Sequence, residues 1–167
     1  MLRFMLLALA PFLASCTADY ATVGATGPDL IRIAPDNYHA QWVGEAPDGR
    51  LFFATHPFVP GHGPTAAREF IALYLWRKDG SFDEARITEL SGDAGDAKNS
   101  LERFLVEQLG PAESLTIRTI DVATFSVERD GIAFGLIYRR SEDTEYVEVL
   151  PGNYMAFYPP WNGEYDT

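Results

Sequence analysis

The sequence predicts an α+β fold: a mostly antiparallel β-sheet built from hairpins, with one principal helix over about residues 93–109 packed on one face. Three observations predict it. Apolar residues alternate with a period of two along most of the chain, as half-buried strands require. Asp-Gly pairs recur between the alternating runs, at Asp48-Gly49, Asp79-Gly80 and Asp130-Gly131, where glycine supplies the positive φ of tight turns. One segment alone changes to a spacing of three and four.

In chain order, Tyr38 to Glu45 and Leu51 to Phe58 flank Pro47-Asp48-Gly49 and form the first expected hairpin. Glu69 to Arg77 and Phe82 to Leu90 form the second, across Lys78-Asp79-Gly80-Ser81. Phe70, Ala72, Tyr74 and Trp76 share one face of that third strand, and Ile71, Leu73 and Leu75 share the other. Both faces are apolar, which predicts a central strand. From Asp93 to Leu109 the residues Ala97, Leu101, Phe104, Leu105 and Leu109 form one helical stripe. Asp93 or Ser91 caps its start, and Gly110-Pro111 ends it. Strands are then expected at Leu115 to Ile120, Ala123 to Glu128, Ile132 to Arg139 and Glu145 to Leu150. Phe125 and Val127 share a face, as do Ile132, Phe134, Leu136 and Tyr138.

The beginning of the chain predicts a location. Arg3, an apolar run from Phe4 to Ala14 broken by Pro11, and Leu13-Ala14-Ser15 lead to Cys16, the one cysteine. This arrangement resembles the lipobox of bacterial lipoproteins. It implies removal of residues 1–15 as a signal peptide, lipidation of the Cys16 thiol and a bacterial cell-envelope location. The apolar run is shorter than the roughly 18 to 20 residues of a membrane-spanning helix. Two or more acyl chains would anchor stably where one is marginal. Thr17 to Pro28, rich in Ala, Thr and Gly, reads as a flexible tether that would reach about 40 Å when extended. Residues 29–167 are expected to form a single domain facing the periplasm. Thr17 lacks the aspartate that resembles an inner-membrane retention signal, so outer-membrane sorting is preferred.

The formal charge of −11 becomes −12 once Arg3 leaves with the signal segment. No polybasic stretch is present, so nucleic acid is excluded as a partner; the acidity serves solubility. With one cysteine, no internal disulfide can form.

Few residues suggest chemistry. His56 and His62 bound His-Pro-Phe-Val-Pro-Gly-His, a rigid loop whose ends could bring two imidazoles together. Two histidines fall short of the three or four ligands of most metal sites and lack their usual spacing. Solvated or backbone-capping roles are the plainer reading, and neither a metal nor a cofactor is expected. No Gly-x-Ser-x-Gly elbow occurs. Gly92-Asp93-Ala94-Gly95-Asp96 lacks the ligand spacing and closing glutamate of a calcium loop.

Tyr154, Phe157, Tyr158, Trp161 and Tyr165 crowd the final segment around Pro159-Pro160, too aromatic for a disordered end. Either the tail packs back over the sheet, or Trp161, Glu164, Tyr165 and Asp166 form an aromatic platform for a partner or ligand. Phe125-Ser126-Val127 with Asp130-Gly131, Phe134-Gly135-Leu136, and the ending Pro160-Trp161-Asn162-Gly163-Glu164-Tyr165-Asp166-Thr167 resemble small bacterial proteins named formate hydrogenlyase regulatory proteins. Asp48-Gly49 with Phe52-Phe53 fits the same pattern more loosely. The similarity spans roughly residues 31–167 and departs from the pattern at Asn162, where Asp is expected. It implies a shared fold and, through the family name, a regulatory role with Cys16 unprocessed.

Three functions follow. The first is a membrane-anchored, noncatalytic accessory or binding lipoprotein for an envelope protein or ligand. The second is an envelope enzyme, which would gather His39, His56 or His62 with carboxylates in a concave pocket. The third is the regulator.

Overall fold

Among the described residues, Arg68–Trp76 carries the longest buried run of any strand, because its seven residues from Phe70 to Trp76 present apolar side chains to both faces. The structure, a computed structural model, describes residues 27–62, 66–90 and 97–167. The expected signal segment, Cys16, nearly all of the expected tether, Ser91 and Asp93 lie outside the described residues.

The first strands are β1 (Ile31–Ile33), β2 (Trp42–Glu45), β3 (Leu51–Thr55), β4 (Phe58–Val59), β5 (Arg68–Trp76) and β6 (Phe82–Glu89). Helix α1 (Ala97–Leu109) follows, then β7 (Thr116–Ile117), β8 (Ile120–Val122), β9 (Phe125–Arg129) and β10 (Ile132–Arg140). The chain closes with β11 (Glu145–Leu150), β12 (Ala156–Phe157) and β13 (Tyr165–Asp166). All pairings are antiparallel. Among the described residues, mostly antiparallel strands with one α-helix make this an α+β protein.

The expected single sheet is corrected to three. A six-stranded sheet runs β4-β5-β3-β2-β7, with β6 on the other side of β5. A five-stranded sheet runs β13-β12-β11-β10-β9, and β1 pairs with β8 as a separate ribbon. The reason is burial: one sheet with one helix would leave an apolar face in water, whereas two sheets packed face to face cover each other. Phe53, Phe70, Tyr74 and Trp76 from the first sheet share one buried cluster with Phe134, Leu136, Val147 and Phe157 from the second. Phe70 meets Phe134 edge-on at 5.1 Å, and Tyr74 meets Phe125 at 4.9 Å, the geometry that aromatic quadrupoles favour. The alternate residues Phe52, Ala54, Ile71, Leu73 and Leu75 form a second buried cluster with Leu101 and Leu105 of α1.

Three strand boundaries move for local reasons. The first expected strand starts at Trp42 rather than Tyr38, because the Asp36 carboxylate accepts the amides of Tyr38 and Ala40, each at 2.8 Å, and holds a turn there. The second breaks after Thr55, since Pro57 has no N–H for the ladder, and pairing with β5 resumes at Phe58. Leu115 to Ile120 splits: Thr116–Ile117 pairs with β2, and Ile120–Val122 pairs with β1. Gly44 permits the first of these pairings, because a Cβ there would lie 2.0 Å from the carbonyl oxygen of Thr116.

The β6 edge is blunted by charge. Glu84 accepts from Arg50 at 2.6 Å and pairs with Arg86, while Asp83 takes Arg77 at 3.3 Å. Arg129 of β9 donates to the carbonyl of Ile87, joining the sheets at that edge. At the helix end, Gly110 has φ +99 and its N–H reaches Val106 O at 3.0 Å, the left-handed stop expected of Gly-Pro.

Candidate functional site

Four local structures converge on one open cavity of about 550 Å³. They are the Asp36 turn before β2, the end of β3, the Gly152–Tyr154 loop after β11 and the first turns of α1. Its deepest polar groups are Thr55 and Asn153, both buried, with the Asn153 amide donating to Thr55 Oγ1. The threonine hydroxyl, having accepted that bond, keeps its own O–H to donate. Trp42, Phe58, Leu101 and Ala54 supply apolar wall, and the exposed Tyr38, Gln41, Lys98 and Tyr154 form the rim.

The loop that brings Asn153 here depends on glycine. Gly152 has φ +55, and a Cβ on it would lie 1.9 Å from the carbonyl oxygen of Phe58. No other residue allows β11 to turn so closely against β4. Tyr154 also has positive φ, at 60°, a conformation costly for a non-glycine residue.

His39 and His56 both line the cavity. His56 Nε2 faces Glu69 Oε2 at 3.5 Å, and neither of these buried atoms makes a hydrogen bond among the described residues. His39 sits within the Asp36 turn, its ring 4.0 Å from that of Tyr38. Burial pushes the Asp36 carboxyl up. The Tyr165 hydroxyl, the amides of Tyr38 and Ala40, and the charge of His39 outweigh it and hold the group below its ordinary value. Burial and the bond to Asp36 push Tyr165 up to about 12.

His56 turns to Glu69 and shares its cavity with His39, while His62 is exposed and does not line it. Among the described residues, no group of three His, Cys, Asp or Glu could hold a metal ion. No described helix is long and apolar enough to cross a membrane.

The tail residues occupy both sides of the surface. Trp161 and Tyr165 pack against the main cluster. The Trp161 carbonyl accepts Arg32 N at 3.1 Å, and Tyr165 donates to Asp36. Glu164 and Asp166 are exposed beside a smaller hollow of about 250 Å³ that Tyr158, Pro160 and Asn162 also line. Asn162 Oδ1 accepts Glu164 N at 3.1 Å and holds a turn there.

Thr55, Asn153, Trp42, Lys98 and Glu69 were not legible as site residues, because each belongs to a different element and only folding brings them together. Pro151-Gly152-Asn153 was the one available signal, a turn tripeptide directly after a strand. Comparison with known proteins finds no matching family model, no matching curated protein and no matching solved structure.

Proposed function

We propose that this chain is a noncatalytic binding module of the bacterial cell envelope, fastened by lipid on Cys16 and using the Thr55–Asn153 cavity as its ligand seat. Helix α1 lies over the outer face of the six-stranded sheet in this reading and supplies one cavity wall. The cavity carries the proposal: about 550 Å³ falls within the range of small-molecule sites, and an aromatic wall with a few convergent polar groups is their usual lining. Palmitate labelling and membrane fractionation test the anchor. The wild-type chain incorporates label and sediments with membranes, and Cys16→Ala does neither. An intact chain with a free thiol in the soluble fraction would overturn it.

One observation favours the enzyme as a second reading. A half-buried carboxylate facing a cavity imidazole, as Glu69 faces His56 at 3.5 Å, is an arrangement that can orient a general base. Ester or amide turnover that Glu69→Gln slows without changing stability would establish it.

A further inference from the structure

We infer that the cavity takes a small organic carboxylate with a planar, apolar body. The inference rests on the binding reading above. The chain carries 24 Asp and Glu against 13 Lys and Arg, yet the cavity lining inverts that balance. Among the described residues it includes Lys98, His39 and His56, and no carboxylate. The two acidic residues nearest the imidazoles do not line the cavity. Asp36 is taken by Tyr165 and two backbone amides, and Glu69 faces His56.

The neutral groups point the same way. Thr55 retains an O–H to donate after accepting from Asn153, so a donor lies at the depth where an anionic oxygen would arrive. A donor left without an acceptor at that depth would cost stability. Tyr38, Trp42, Phe58 and Tyr154 surround these donors with ring surface, which suits a planar apolar body. Among the described residues the lining holds one ammonium and no guanidinium. A carboxylate matches that better than a phosphate dianion, which favours arginine forks.

The test uses the full chain purified in a nonionic detergent, with benzoate, benzamide and benzylamine as anionic, neutral and cationic probes of one shape. The readout is the indole N–H resonance of Trp42, assigned through Trp42→Phe. Benzoate is expected to shift it and to bind about tenfold more tightly than benzamide, with no response to benzylamine. Lys98 is exposed, so Lys98→Gln keeps the melting temperature while weakening benzoate about tenfold and leaving benzamide unchanged. Lys98→Glu moves the preference to benzylamine. Benzamide or benzylamine matching benzoate in the wild-type chain would overturn the carboxylate assignment and leave the binding reading standing. Silence from all three probes would overturn both.

Discussion

Asp36 is the residue on which most local structure converges. Its carboxylate ends the chain's approach to β2, faces the charge of His39 and accepts the hydroxyl of Tyr165 from the opposite end of the sequence. A pH dependence follows from the two shifted groups. Tyr165 is raised to about 12, so its contribution is complete below the ordinary tyrosine value near 10 and disappears as pH climbs from about 10 to 12. Asp36 is depressed, so its contribution is complete above the ordinary carboxylate value near 3.9 and is lost as pH falls through the folded value. Tyr165→Phe should therefore cost about 1 kcal/mol between pH 5 and 9. The difference from wild type should shrink above pH 10 and below pH 4. Urea titrations across that range check it, and a constant difference would refute the coupling.

Among the elements, α1 separates packing from propensity. Leu105 is 1% exposed in the cluster with Ile71, Leu73 and Leu75, while Val106, one residue on, is 45% exposed. Leu105→Ala should cost about 2 to 5 kcal/mol by removing buried methyl groups and leaving a cavity. Val106→Ala should stay within about 0.5 kcal/mol. Chemical denaturation of both variants checks the contrast; equal effects would mean that the helix is not held by this stripe. The stripe was readable because helical spacing depends only on neighbours along the chain. The hairpins β2–β3, β5–β6 and β9–β10 were readable for the same reason, each being a local alternation around an Asp-Gly turn.

At the scale of the whole molecule, the last residues close the fold. Tyr165 pairs with Phe157, which is fully buried, and packs with Trp161 on the main cluster. Removing Trp161 to Thr167 should lower stability by at least about 3 kcal/mol, a fall in melting temperature of about 6 to 12 °C, with broadened melting. An unchanged, sharp transition together with lost partner binding would instead assign the tail to a recognition platform. The same closure links the tail to the cavity, since Tyr165 holds the turn that carries His39.

The sequence by itself determined the elements whose causes are local: the alternation of β5 on both faces, the Asp-Gly turns, the helical stripe and its Gly110 stop. It also determined the acidic charge balance. Tertiary structure alone decided that the strands form two facing sheets and a ribbon, that Leu115 to Ile120 divides between two of them, and that Thr55, His56, Lys98 and Asn153 line one cavity. The physical reason is range. Turn and periodicity preferences act over a few residues, whereas pairing partners and cavity walls are selected by mutual burial of apolar faces far apart in the chain.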